Sequence, residues 1–462
     1  MSVLTTNISQ TNSIRPGDVE ALLAPLGLTI SPRESSDFHT LLATAHDCAE
    51  NVLALPDYQP VSNQRKYPRE NVRRCGPDEQ VLGQAWATKF LIRGNPDGGP
   101  LAGKSVSLKD VIAVAGVPQF QGSDITPAWT PITDATVVTR ILEAGGTIVG
   151  TSTCENYCHS TSSFTSAQGT VENPHATGYS AGGSTSGGAA LVTAGLVDIT
   201  IGGDQGGSIR VPAALCGSAL QQSSGRLNGF KIGILKEGFE HTLVDPGVKT
   251  LVLSATRKFA DLGATVEEVS LPDHLHGPAL WTILARIAGT QTLLGQNTGR
   301  RILCMTEAEQ NRLPWTNQGF QKAFPSTKNA IINGLYLMSR FPNIYGKALN
   351  VGRQVSDKYQ ELFQKFDALV MPTTPVVAPR HGSRGLPLES LQPSMGMTIN
   401  TAVFNVTGHP AMSIPIGFAP AKDHERVMLP VGMQIVGGLW QEEKVLRVGH
   451  GWESHYDWRK VQ

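Results

Sequence analysis

The sequence predicts an α/β fold with a largely buried sheet. A helical apolar stripe followed by a short strand recurs three times along the chain. The apolar runs "ALVMP" (368–372) and "MQIVG" (433–437) fit strands covered on both faces. The 49 glycines, against 6% aromatic residues, fit a core with many close backbone approaches.

The elements follow in order. Residues 17–55 carry apolar positions at helical spacing, as in Val19, Leu22 and Leu23 and later Leu41, Leu42 and Ala45, and read as a small helical module. Residues 56–100 are rich in Pro, Gly, Asn and Arg and read as an irregular connection. Its basic cluster, Lys66 to Arg74, is interleaved with acids and reads as a solvated surface. In "DATVVTRILEAGGTIVGTS" Val138, Ile141 and Leu142 share a helical face, a Gly-Gly pair stops the helix, and "TIVG" reads as a strand. "DPGVKTLVLSATRKFADLGATVEEVSLP" repeats the unit. Its stripe is Val248, Leu251, Val252, Ala255, Phe259 and Leu262, Gly263 ends the helix, and "TVEEVSL" alternates. "VSDKYQELFQKFDALVMPTTP" is the third case.

Composition excludes several classes. A chain of 462 residues is long enough for about three domains or one large α/β enzyme. Formal net charge is zero, which argues against an electrostatic nucleic-acid binder. Six cysteines over this length are no disulfide framework, and Cys154 and Cys158 lack a second ligand pair at zinc-like spacing, so no metal and no cofactor is expected. The N-terminus lacks a basic segment followed by an apolar one, and no run of 18 apolar residues exists. No membrane association is expected, and the expected location is cytoplasmic.

Three segments carry chemistry. In "LAGKSVSLKDVIAVAGVP" Lys109 falls within the strand pattern of Val106, Leu108 and Val111. Burial disfavours an ammonium, and a neutral lysine is a base; the alternative is a strand-end lysine reaching solvent. "GYSAGGSTSGGAALVTAGL" opens a helix from a Gly/Ser loop, without the Gly-Lys-Ser/Thr ending of a phosphate-binding loop. "GGDQGGSIRVPAALCG" sets Ser208 beside backbone N–H groups that could converge as an oxyanion hole. No histidine is near Ser208 in sequence to activate it.

Together these segments resemble the amidase signature family. The motifs are "LKD" with Lys109, "GGSTSGG" with Ser184 and "GGDQGGSIRVPAALCG" with Ser208, spaced 75 and 24 residues apart. "FNVTGHPAMSIPIG" and "LPVGMQIVG" are similar to that family's closing strands, and the N-terminal module before "GPLAGK" to its stand-alone carboxamide amidases. The resemblance implies a mixed central β-sheet covered by helices on both faces. It also implies hydrolysis of a carboxamide to a carboxylic acid and ammonia through a serine acyl-enzyme. Ser208 is then the nucleophile, and Ser184, after a cis peptide, relays its proton to Lys109. Gln205, Gly206, Gly207 and Ser208 supply oxyanion N–H groups, and Cys158 and Ser184 meet the substrate. His409 packs beside the sheet. A small carboxamide is the expected partner, and homodimer formation through the helical module is expected. The alternatives are an inactive shortened homologue and a glutaminyl-tRNA amidotransferase-like subunit.

The sequence departs from the family after Gly217. "SALQQSSGRLNGFKIGIL" joins "ALCG" almost directly to the next strand, where the family has further elements. The expected organisation is therefore a module and connection over 1–75 and a catalytic domain over 76–462, with an internal deletion near 217–229.

Overall fold

The computed structural model describes residues 8–56, 58–218, 225–297 and 304–460. The chain forms two compact units, Met1–Pro60 and Val61–Gln462.

The first unit contains α1 (Asp18–Leu23) packed against α2 (Pro32–Leu53). The start of α2 is fixed locally. Ser31 Oγ accepts from the Glu34 N–H at 3.3 Å, the Glu34 carboxylate accepts from the Ser31 N–H at 3.1 Å, and Pro32 opens the helix. The stretch expected to be helical is thus two helices. Leu22, Phe38, Leu41, Val52 and Leu53 are exposed on them.

The second unit holds two five-stranded mixed sheets. The first runs β1 (Glu70–Arg74), β2 (Trp86–Ile92), β4 (Thr147–Ser152), β3 (Ser105–Lys109) and β7 (Ile199–Ile201) in space. Strand β3 is parallel to both neighbours, with Lys109 opposite Ser152 and Leu108 opposite Ile201. A separate hairpin pairs β5 (Glu172–Asn173) with β6 (Ala176–Ser180). Helix α3 (Thr136–Glu143) buries Val138, Ile141 and Leu142, the stripe read from sequence, with Val106, Leu108 and Ile148. Helix α4 (Ser186–Thr193) packs on β3, β4 and β7 and places Ala189, Ala190 and Leu191 in a different cluster, with Trp86.

The second sheet runs β11 (Ala411–Ala421), β12 (His424–Val436), β10 (Ala368–Pro372), β8 (Lys231–Leu235) and β9 (Thr265–Val269). Every residue of β10 is buried, as expected of "ALVMP". Helix α5 (Arg210–Cys216) packs against α4, β11 and β12. Helix α6 (Pro246–Arg257) covers β10, β11 and β12 with Val248, Val252 and Ala255. Four helices pack on one another beyond it: α7 (Gly277–Leu293), with α10 (Pro325–Arg340), α11 (Ile344–Phe363) and α13 (Ala402–Thr407) against it. The short α8 (Thr306–Gln310), α9 (Asn317–Lys322) and α12 (Pro387–Leu391) lie in the connections, and α14 (Glu442–His455) packs on β10, β11 and β12.

Three details differ from the sequence reading. Residues 56–100 are not wholly irregular, because β1 and β2 form and pair there; Thr88 and Lys89 interrupt the apolar alternation of β2. The cluster 66–74 is not all solvated: Arg69 forms a buried ion pair with Asp134, at 5% and 7% side-chain exposure. Strand β3 ends at Lys109, so Val111 lies outside it.

The expected deletion falls partly on residues 219–224, which lie outside the described residues. On its far side Leu227 is fully buried and donates its N–H to Leu262 O at 2.8 Å. Strand β7 is a sheet edge and is half-buried along its whole length, and β11 is an edge of the other sheet.

Candidate active site

Strands β3, β4 and β7 are parallel, so the loops that leave their C-terminal ends emerge on one side. Lys109 is the last residue of β3, and the loop 202–209 follows β7. Ser184 arrives from the loop before α4. The fold thereby brings together residues 75 and 99 positions apart in sequence.

Lys109 is fully buried, as is Ser184. Lys109 Nζ lies 2.7 Å from Ser184 Oγ and 3.5 Å from Gly203 O. It makes no ion pair among the described residues. Lys104 is different: it is exposed and bridges to Asp198 at 3.2 Å. The Gly183–Ser184 peptide is cis. Thr185 N–H donates to Ser208 O at 3.1 Å, which ties the Ser184 loop to the Ser208 loop. Ser208 Oγ makes no hydrogen bond within the protein among the described residues, and Ser208 lines a cavity of about 520 Å³.

The loop 204–210 is shaped by one carboxylate. Asp204 accepts from the N–H groups of Gly207 (2.7 Å), Ile209 (3.2 Å) and Arg210 (3.3 Å), and from the Arg210 guanidinium at 3.0 and 2.9 Å. Arg210 continues to Thr401 O, Gln434 Oε1 and Asn405 Oδ1 at 2.9, 2.8 and 2.6 Å. Burial alone would raise the Asp204 carboxyl, but the hydrogen bonds and charge of Arg210 hold it well below the usual carboxylate range. Thr401 Oγ1 donates to Gly206 O, and Trp281 Nε1 to Gln205 O. A Cβ on Gly206 would lie 2.5 Å from the Trp281 ring. One on Gly207, whose φ is +141°, would lie 2.5 Å from Thr401 Oγ1. Only glycine fits at either position.

These bonds refine the expected oxyanion set. The Gly207 N–H is engaged by Asp204, so Gly207 shapes the loop and cannot also donate to a substrate oxygen. The N–H groups of Gln205, Gly206 and Ser208 have no partner among the described residues. Cys158 lines the cavity in a left-handed conformation, φ +61°, with its N–H donated to Glu155 O. A hydrogen bond with Cys154 holds the Cys158 thiol well below the usual thiol range, against the opposing effect of burial. His409 is buried against Tyr359 and Phe363, away from this chemistry.

Sequence reasoning did not assign Asp204 or Arg210, although both stand in the stretch that carries Ser208. It also missed Glu155, a fully buried carboxyl that accepts from Thr165 N–H, Thr165 Oγ1 and Ser186 Oγ. Burial raises Glu155 to about 7 against those hydrogen bonds. Among the described residues no group of three or more His, Cys, Asp or Glu is placed to hold a metal ion, and no helix is long and apolar enough to cross a membrane.

The family model Amidase matches residues 78–219 and 218–446, two segments that meet where the sequence departs from the family. An enantioselective amidase of Rhodococcus rhodochrous is 33% identical, over 76% of this chain and 80% of its own length. That alignment covers 422 positions but takes in about 351 of the 462 residues (76%), so about 70 positions of the relative have no counterpart here. A glutamyl-tRNA(Gln) amidotransferase subunit of Methylococcus capsulatus is 30% identical, over 82% of this chain and 88% of its own. Among solved structures, the same subunit from Thermotoga maritima superposes with a TM-score of 0.63 at 25% identity, over 81% of this chain and 88% of that one.

Proposed function

The chain belongs to the amidase family, and on that premise we propose that it hydrolyses a small carboxamide through an acyl-enzyme on Ser208. Amide hydrolysis follows from the family; the residue roles are our reading. Its main support is the contact of Lys109 with Ser184, beside the loop of Ser208, in a pocket of the second unit that needs no histidine.

Ser208 Oγ attacks the amide carbon and gives its proton to Ser184 Oγ, which passes its own to Lys109 Nζ. Charge then develops on the carbonyl oxygen. The N–H groups of Gln205, Gly206 and Ser208 are the free donors suited to it, and one such donor is typically worth about 10²–10³ in rate. The relay returns the proton to the amide nitrogen, the C–N bond breaks, and ammonia leaves. Water then attacks the ester, delivers its proton along the same path, and releases the acid and Ser208. Cys158 borders the acyl site and presents its carbonyl to the substrate.

The names of the relatives allow both a free-standing amidase and a component of a larger enzyme. The helical module favours the first, and its exposed Leu22, Phe38, Leu41, Val52 and Leu53 fit the face of a homodimer. The soluble, cytoplasmic form is the setting this reading takes. Ammonia release from a panel of carboxamides by the purified chain alone tests it. Turnover without added subunits supports the reading, and turnover only with partner subunits present would favour the amidotransferase role.

A further inference from the structure

The cavity beside Ser208 holds one charge that the mechanism does not use. Arg286, on α7, lines it, and no Asp, Glu or Lys does. Arg286 forms no ion pair among the described residues, and its Nε is shielded from solvent without a hydrogen-bond partner. A guanidinium on an open surface is satisfied by water. A shielded donor is not, and leaving it unpaired is costly unless a ligand completes it.

A second group points the same way. Ser326 also lines the cavity, is 3% exposed, and its Oγ has no partner. It is the second residue of α10, a helix of 16 residues that begins with Pro325 and has no side-chain cap. The Ser326 N–H makes no hydrogen bond among the described residues. The first turn of α10 therefore offers a hydroxyl and a backbone donor at the positive end of a helix. His159, a further wall residue, adds no charge near neutrality, because burial and then Arg286 push it down to about 4.

We propose that the substrate is an amide that carries a carboxylate at the end away from the scissile bond, held by Arg286, the Ser326 hydroxyl and the first turn of α10. A guanidinium matches a carboxylate with two parallel N–H donors. One cation and no acid in the wall suit a single negative charge. The inference rests on the reading of Ser208 as the reacting group, since it uses that cavity.

Binding tests it apart from turnover. Succinamate, glutaramate and adipamate, and the neutral methyl ester of each, are titrated calorimetrically into the Ser208→Ala protein. At one chain length at least, the acid is expected to bind ten times or more tightly than its ester. Arg286→Gln in that background should bring the ratio close to one, Arg286→Lys should keep part of it, and Ser326→Ala should lower it severalfold. Equal binding of acid and ester at all three lengths would overturn the proposal, as would a preference that survives Arg286→Gln. Should Arg286→Gln not fold, the acid-to-ester ratio and Ser326→Ala decide alone. Ammonia release by the wild-type chain is measured on the same six compounds. Selective binding without any hydrolysis would keep this inference and overturn the hydrolase reading, and hydrolysis with no preference would do the reverse.

Discussion

Asp204 and Arg210 close the loop that carries Ser208 on itself through a bidentate ion pair at 2.9 and 3.0 Å, with side chains 14% and 6% exposed. The same guanidinium reaches Thr401, Asn405 and Gln434, so the loop after β7 is anchored to α13 and β12. The consequence is both structural and catalytic.

Arg210→Ala leaves the Asp204 carboxylate buried without its charge partner. The expected loss is about 3–5 kcal/mol of stability. Activity should fall with it, because the N–H groups of 205–208 lose their geometry and a misplacement of about 1 Å can cost about a hundredfold. Urea denaturation and ammonia release on the same preparation measure both. A variant as stable and as active as wild type would show that the loop holds its shape without the pair.

The two lysines of the β3 region should behave differently. Lys109→Ala removes the amine that contacts Ser184, the proton acceptor of the proposed relay, and should lower the acylation rate by about 10³ or more. Lys104→Ala removes only an exposed bridge to Asp198, of a kind worth about 0–1 kcal/mol, and should retain most activity. Single-turnover rates on one amide compare them. Equal losses would remove the basis for assigning the base.

Glu155 makes a pH prediction. The unfolded chain ionises this carboxyl near its ordinary value of 4.5, while burial keeps it protonated in the folded chain up to about 7. Its contribution to stability is therefore complete below about 4.5 and is lost as pH rises through about 7. In Glu155→Gln that dependence is absent. The unfolding free energy of Glu155→Gln relative to wild type should shift in the variant's favour, by of order a few kcal/mol, between pH 4.5 and 8. Asp110, also raised by burial, to about 8, is present in both proteins and cancels in the difference. A difference that does not change with pH would contradict the assignment.

The join after α5 makes another. Strand β7 is paired on one side only and half-buried throughout, next to a β3 that is buried from Val106 to Lys109. About 70 aligned positions of the amidase relative have no counterpart here, and the family match divides at residues 218–219. An unpaired parallel edge exposes backbone groups that a further strand would satisfy. Inserting the relative's intervening segment after Ser218 should raise the melting temperature and lower aggregation during expression. A short chain that already melts as cooperatively and as high as the extended one would show that the gap is tolerated.

Local patterns were legible in the sequence, and long-range ones were not. The stripes of α3 and α6 needed only helical spacing, and "ALVMP" needed only its apolar run, since each reports burial of its own residues. The proximity of the three candidate segments follows from short local motifs, since Lys109 ends a strand and Ser184 and Ser208 sit in glycine-rich loops. The Asp204–Arg210 network was not legible, because Thr401, Asn405 and Gln434 lie about 190 to 220 residues further on and no local spacing marks them. The engagement of Gly207 was hidden for a related reason, since a carboxylate three residues earlier takes an N–H that sequence alone leaves free. Division into two sheets depends on which strands become edges, and pairing between distant strands has no local signal.

The most direct measurement is the mass of the intact protein after treatment with a fluorophosphonate, with the adduct located by peptide sequencing. One adduct is expected, on Ser208, absent in Ser208→Ala and formed much more slowly in Lys109→Ala. An adduct on another serine with Ser208 untouched, or undiminished amide hydrolysis by Ser208→Ala, would contradict the assignment of Ser208 as the nucleophile.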